Sequence, residues 1–218
     1  MTTKLVGKSP CIHLVICLLI ASLGSIAIPQ CFAQRQSNVS PCRYIAQSAE
    51  AAKNDAIYLN VSDLPAGFKM TEDYHDKKTM NDAPPAFTKY GGIRNALKVF
   101  QGPDTAPLQR IVDIRFVFPD HNSAEAFLQE SMGQLGEKMP QVRNAPTVGD
   151  GSLLLGGENE MLKMMTGEGG FYSYCYLFVS GRVVGKVYAA QGSSSKEPLR
   201  PEMLYPIAKK AAQKASQY

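Results

Sequence analysis

The residues best suited to molecular recognition are tyrosines spaced by two near the C-terminus of the chain. Tyr172, Tyr174 and Tyr176 alternate with smaller or apolar residues, and Lys186 and Tyr188 follow on the next segment. In a β-strand, residues two apart lie on the same face of the sheet. A tyrosine combines a large apolar contact area with a polar hydroxyl, which favours it at recognition surfaces. The spacing therefore predicts a tyrosine-lined face whose chemistry would be binding.

Whether this face is open or buried depends on the turn that joins the two strands of the predicted hairpin, 171–179 and 182–190. A two-residue turn pairs the tyrosines with small apolar residues and buries them. A three-residue turn with Gly181 in the left-handed conformation shifts the register by one residue, which exchanges the two faces. We favour the three-residue turn, because Ser180 is a poor first residue for a two-residue turn and glycine is common at a bulge.

The favoured register predicts an open or loop-covered ligand-binding face that also receives charged residues from a neighbouring strand. In that strand Val112 and Ile114 share one side, and Asp113 and Arg115 share the other. The candidate binding residues are Tyr172, Tyr174, Tyr176, Tyr188, Lys186, Arg115 and Asp113. The alternative is that the tyrosines form a partly solvated structural layer without a ligand.

Motifs for catalysis and metal binding are weak, and we predict no catalytic residue, no metal site and no cofactor. Beyond residue 33 the histidines are His75 and His121, and no Gly-x-Ser-x-Gly elbow accompanies them. The acidic segment around His75 lacks the oxygen spacing and the turn glycine of a calcium loop. A small exported hydrolase that uses His75 or His121 is the alternative function.

Residues 1–33 have the three-part layout of a secretory signal peptide. Two early lysines precede an apolar run over 14–28, and small residues occupy the −3 and −1 positions of a cleavage site after Ala33. A membrane-spanning helix needs about 20 apolar residues, so the run is short for an anchor. We predict a secreted or periplasmic protein without stable membrane insertion after cleavage; a retained anchor is the alternative. Asn38 and Asn60 begin glycosylation sequons, which matter only in a host that glycosylates exported proteins.

Cysteine usage fits export and predicts one disulfide. Beyond residue 33 only Cys42 and Cys175 remain, and two cysteines in an oxidising compartment most simply pair. The bridge would hold an N-terminal helix, beginning near Ser40, against the side of the hairpin opposite the tyrosines. The alternative is a pair of separate buried thiols.

The pattern over 34–218 predicts a single α+β domain. Strands are predicted at 56–59, 94–101, 111–118, 152–155 and 160–165, in addition to the hairpin. A helix capped by Asn122 or Ser123 and a C-terminal helix near Pro206 show apolar stripes. Residues 69–92 read as a long polar loop and 191–198 as a link to the last helix. Because the strands cluster in sequence, we expect an antiparallel sheet with helices packed on a face.

The order of turn and strand motifs from residue 58 to the C-terminus resembles that of secreted bacterial domains related to PsbP. The motifs are Asp63-Leu64-Pro65-Ala66-Gly67-Phe68, Ser123-Ala124-Glu125-Ala126-Phe127, Gly149-Asp150-Gly151-Ser152 and Gly181-Arg182-Val183-Val184. LpqN-type mycobacterial lipoproteins and mycobacterial kinase sensor domains show a similar order. The resemblance implies a non-catalytic α+β binding or sensing domain. The chain departs from these relatives in lacking a lipid-modified cysteine motif and in its single cysteine pair, and no site residue is carried over.

We therefore predict an exported, non-catalytic binding or sensing domain. The partner would be an unknown protein, an envelope polymer or a small apolar ligand. The net charge of the whole chain is +4, half of it supplied by the two early lysines. This small excess argues against nucleic acid as the partner, because nucleic-acid-binding domains carry a strongly basic surface.

Overall fold

A six-stranded antiparallel sheet organises the protein. The computed structural model describes residues 55–75, 84–136, 139–158, 172–191 and 194–218. The strands are β1 Lys69–His75, β2 Arg94–Gln101, β3 Arg110–Val117, β4 Gly151–Glu158, β5 Tyr172–Ser180 and β6 Val183–Ala190. Their spatial order is β1-β2-β3-β6-β5-β4. The hairpin strands β5 and β6 therefore lie inside the sheet, where both of their edges are paired.

The α-helices whose full extent lies in the described residues are α1 Pro85–Lys89, α2 His121–Gly136 and α3 Tyr205–Ala215. Short 3-10 helices span Val61–Asp63 and Pro201–Met203. Asp120 caps α2, because its carboxylate accepts the Ser123 backbone N–H at 2.8 Å. The same bonds lower the pKa of Asp120. The N-cap residue is therefore Asp120, and Asn122 and Ser123, the predicted N-caps, lie within the first turn of the helix.

The two longer helices cover opposite faces of the sheet. Along β5, Tyr174, Tyr176 and Phe178 belong to one apolar cluster, which includes the buried stripe of α3. The alternate residues Cys175, Leu177 and Val179 belong to a second cluster, which includes the buried stripe of α2. We call the two sides of the sheet the α3 face and the α2 face. The predicted α+β class and antiparallel sheet are confirmed, and helices pack on both faces.

The predicted three-residue turn between β5 and β6 is wrong. Ser180 pairs with Val183, so Gly181 and Arg182 form a two-residue turn. This turn lies one position later in the chain than the two-residue alternative at 180–181. Gly181 has a φ of +56°, the positive value that two-residue hairpin turns require at their first position. This register turns the tyrosines of β5 toward α3 and into the core.

The sequence predicted β2, β3 and β4 better than it predicted the segments that precede β2. The predictions at 94–101, 111–118 and 152–155 correspond to β2, β3 and β4. The predicted strand at 56–59 is wrong, since this stretch starts with helical residues and continues as irregular chain that packs on the core. The predicted polar loop 69–92 contains β1 and α1. The signal peptide, the helix near Ser40 and the strand at 160–165 lie outside the described residues.

None of the helices in the described part of the chain is both long and apolar enough to span a lipid bilayer.

Replacing Phe127 by Ala tests the packing between α2 and the sheet. The Phe127 ring is fully buried, with its centroid 4.9 Å from that of Phe116 and 5.0 Å from that of Phe118. We expect the free energy of unfolding to fall by about 3–5 kcal/mol, measured by urea denaturation. Gln134→Ala, an exposed change in the same helix, should shift it by less than about 0.5 kcal/mol. A loss below about 1 kcal/mol for Phe127→Ala would contradict this packing.

Candidate functional site

The structure divides the predicted site residues between the two faces of the sheet. Tyr172, Tyr174, Tyr176, Asp113 and Arg115 lie on the α3 face, whereas Lys186 and Tyr188 lie on the α2 face. Tyr176 is fully buried and Tyr174 is 7% exposed, so these rings belong to the core and form no open surface. Burial also raises the pKa of both tyrosines. Lys186 and Tyr188 are only part-buried.

Asp113 and Arg115 form an ion pair inside the α3 face. Arg115 Nη2 lies 2.9 Å from Asp113 Oδ1, and both side chains are 0% exposed. The other carboxylate oxygen, Asp113 Oδ2, accepts the backbone N–H of Leu59 at 2.8 Å. The Arg115 guanidinium stacks 5.0 Å from the centroid of the Phe178 ring. Burial raises the pKa of Asp113, an effect that the neighbouring Arg115 opposes, and burial lowers the pKa of Arg115.

These charges fasten the segment that precedes β1 to the sheet. Lys98 lies in β2 beside Asp113, is 2% exposed, and donates to Asp55 at 2.7 Å. On the same side of the sheet, Lys214 of α3 pairs with Asp63 at 2.7 Å. Together with the bond from Leu59 to Asp113, these contacts hold residues 55–63 in place. Asp113, Arg115 and Lys98 are thus buried beneath this segment, whereas Asp55 stays exposed.

The losses of stability caused by changes at Asp113 and Arg115 should not be additive, because the two side chains form a buried pair. Arg115→Met leaves the Asp113 carboxylate buried without its counter-charge, so we expect a loss of about 3–5 kcal/mol in unfolding free energy. The double variant Asp113→Asn/Arg115→Met should lose less than the sum of the single changes, because its buried groups are neutral. Urea denaturation measures all of them, with the exposed Arg143→Met as control. Strict additivity would contradict the pairing.

His121 stands at the start of α2, beside a cleft of about 160 Å³ that Glu125, Asp150 and Ser152 also line. Its Nδ1 lies 2.8 Å from the Gly181 carbonyl oxygen, and Asp150 accepts the Gly181 N–H at 2.7 Å. Both side chains therefore hold the β5–β6 turn. The cleft is smaller than typical small-molecule pockets, which measure about 300–1,000 Å³.

The other features considered for chemistry lie apart from one another. His75 belongs to β1, where its backbone pairs with Ala96, so the two histidines stand on different elements. Within the described ranges, no group of three or more His, Cys, Asp or Glu residues could hold a metal ion. The hydrolase alternative therefore gains no assembled site from the described residues.

The structure does not support the predicted disulfide. Cys175 carries a free, buried thiol on the α2 face, and Cys42 lies outside the described residues. Burial raises the pKa of the Cys175 thiol to about 12, although the nearby Lys186 opposes this shift.

Cys175 should react very slowly in the folded protein. With a pKa of about 12, about one thiol in 10,000 is ionised at pH 8, against about a quarter for a free cysteine. We expect the Cys42→Ser variant of residues 34–218, in which Cys175 is the one remaining cysteine, to show almost no reaction with a disulfide reagent such as dithionitrobenzoate at pH 8 until guanidinium unfolds it. Rapid reaction of the native variant would contradict a buried thiol.

Two rows of side chains cross the α2 face and leave it partly uncovered. The strand pairing places them in order as Tyr74, Leu97, Ile114, Lys186, Leu177, Leu153 and as Glu72, Val99, Val112, Tyr188, Cys175, Leu155. α2 packs mainly against β4, β5 and β6, where Leu177 and Leu155 are buried. At the β1 edge Tyr74 is 55% exposed, whereas Val99 in the second row is 3% exposed and therefore buried.

We call the uncovered part of this surface the open face. It consists of Tyr74, Leu97, Val112, Ile114, Lys186 and Tyr188, five of them part-buried and Tyr74 exposed. The helix layer rises by about one helix diameter, about 10 Å, above the sheet beside these residues. Among the described elements, α2 borders the open face on one side, and the edge strand β1 borders it on the other.

Lys186 lies where the open face meets the helix layer. Its Nζ is 5.2 Å from the centroid of the Phe116 ring and 5.5 Å from that of Phe127, within cation–π distance. Loss of solvent lowers the pKa of Lys186. In the described part of the chain, no carboxylate forms an ion pair with this ammonium group. Lys186 is the one predicted site residue that is charged and only part-buried, since Asp113 and Arg115 are fully buried.

The other charges at the open face are already matched. Arg110 Nη2 lies 3.8 Å from Glu72 Oε1. Glu72 in turn raises the pKa of Tyr74, through its charge and through a hydrogen bond with the phenol. Burial raises the pKa of Tyr188, so its hydroxyl stays protonated at neutral pH. The open face thus carries the phenol of Tyr188, which Glu72 does not engage, and the Lys186 ammonium group, for which the described residues supply no acidic partner.

The sequence contained a signal for the open face that the hairpin prediction obscured. Leu97 lies in the predicted strand 94–101, and Val112 and Ile114 are predicted to share one side of the next strand. Alternation within a strand does not show which of its sides other elements cover. β1, which carries the exposed Tyr74, falls within the predicted polar loop 69–92.

No family model matches the chain, and a search of curated proteins finds no significant match. Among solved structures, the fold is similar to the extracellular domain of PknH from Mycobacterium tuberculosis, with a TM-score of 0.54 and 14% sequence identity. The match covers 75% of this chain and 95% of that domain. At this identity the likeness concerns the fold alone. The predicted resemblance to mycobacterial kinase sensor domains is confirmed at that level.

Proposed function

We propose that the protein is an exported, non-catalytic domain that binds its ligand on the open face. The observation that carries this proposal is the composition of the uncovered surface. The solvated side of an antiparallel sheet normally carries polar residues in alternation. Here Tyr74 is exposed, and the apolar residues Leu97, Val112 and Ile114 are part-buried, so they still reach solvent. Contiguous apolar surface that reaches solvent commonly marks a binding site.

Export is supported by two independent features. Residues 1–33 have the charge, length and cleavage pattern of a signal peptide. The similar solved structure is an extracellular domain. We propose cleavage after Ala33 and a secreted or periplasmic location for the mature domain.

A binding role agrees better than hydrolysis with how the polar groups are used. His121 and Asp150 hold a turn, and the buried pair of Asp113 and Arg115 holds a chain segment. The open face instead offers hydrogen-bond donors and apolar area, which suit recognition.

A neutral apolar dye tests the site. We expect the mature protein to bind Nile red, and the double variant Val112→Thr/Ile114→Thr to bind it at least about tenfold more weakly, because two apolar groups become hydroxyls while the strand-favouring branched shape is kept. Fluorescence titration measures the affinity, and circular dichroism confirms that the variant remains folded.

Val61→Thr is the matched control, since Val61 is 44% exposed but belongs to the 3-10 helix before β1. Its affinity should equal that of the unmodified protein. Equal dye binding by the folded double variant, or no binding by the unmodified protein, would refute the open face as the site.

A further inference from the structure

We infer that the open face selects an amphiphile with a single anionic headgroup, which pairs with Lys186 while the apolar part lies across Ile114, Leu97 and Tyr74. This inference rests on the proposed function and specifies the ligand class of the same site.

The other shielded lysines of the described chain pair with carboxylates, whereas Lys186 does not. Lys98 donates to Asp55 at 2.7 Å, and Lys214 lies 2.7 Å from Asp63. Lys186 is shielded as well, yet its ammonium group contacts two phenyl rings and forms no ion pair with a described carboxylate. A shielded charge without a counter-ion is costly, and an anion brought by the ligand removes that cost.

Among the described residues, none of the groups near Lys186 neutralises its charge. Cys175 lies close to it, but the pKa of about 12 keeps that thiol uncharged. Glu72, the acidic member of the adjacent row, lies beside Arg110. One ammonium group remains, which matches one negative charge on the ligand.

Apolar side chains form a row that starts beside the Lys186 ammonium group. Ile114, Leu97 and Tyr74 follow Lys186 across three successive strands. Strands in a sheet lie about 4.8 Å apart, so this row extends for about 14 Å from the cation. An extended acyl chain of medium length fits along it, with its headgroup at the foot of α2.

Displacement of bound Nile red by matched ten-carbon amphiphiles tests the inference. Decanoate and decanamide have the same chain and differ in charge. Below their micelle-forming concentrations, we expect the mature protein to bind decanoate at least about tenfold more tightly than decanamide, because a hydrogen bond to a charged group is the stronger one. Decyltrimethylammonium should bind more weakly than either.

Variants of Lys186 separate the roles of charge and apolar contact. Lys186→Met should remove the preference for decanoate and leave decanamide binding within about twofold, since methionine keeps the apolar stem. Lys186→Arg should keep the preference, and Lys209→Met, an exposed change on α3, should leave it unchanged.

The outcomes distinguish the two proposals. Equal binding of decanoate and decanamide, or an unchanged preference in folded Lys186→Met, would overturn the anionic ligand while Nile red still reports on the open face. Failure of both amphiphiles to displace the dye would overturn an amphiphile of any charge. Failure of Nile red itself to bind would instead refute the open face as a site.

Discussion

The register of the β5–β6 hairpin is the constraint on which the rest of the structure depends. Gly181 and Arg182 form the turn, and the side chains of His121 and Asp150 hold its backbone from outside the hairpin. Because side chains alternate along a strand, a shift of one residue would exchange the α2 and α3 faces. The helix that each residue meets, the cover over Tyr176 and the accessibility of Lys186 all follow from this one pairing.

The two faces of the sheet use charge in opposite ways. On the α3 face, Asp113 and Arg115 are buried and compensate each other, and they fasten the chain that precedes β1. On the α2 face, apolar residues such as Ile114 lie partly uncovered next to a cation. This reverses the usual arrangement of charged residues outside and apolar residues inside. The paired, buried charges of the α3 face therefore suit a structural cluster, whereas the part-buried apolar residues of the α2 face suit a binding surface.

The likeness to a known fold concerns the architecture of the protein, whereas the open face concerns the chemistry of its ligand. An α+β sheet with helices hosts many activities, so similarity to the PknH domain concerns architecture and carries no site residue. The ligand chemistry that we infer depends on the side chains of the open face of this chain. A recognition surface of this kind needs apolar area for affinity and a few oriented polar groups for selectivity. Ile114 and Leu97 supply the area, and Lys186 supplies a charge that the described residues leave unmatched.

The sequence by itself determined the α+β class, the extent of β2 and the apolar stripes of α2 and α3, because these depend on local periodicity. It also determined that Lys186 and Tyr188 share a strand face, since they are two residues apart. Only the tertiary structure decided which face of each strand is covered and which shielded charge finds a partner. Both outcomes depend on contacts between residues distant in the chain, such as Gly181 with Asp150 and Asp113 with Leu59, and no local pattern encodes those contacts.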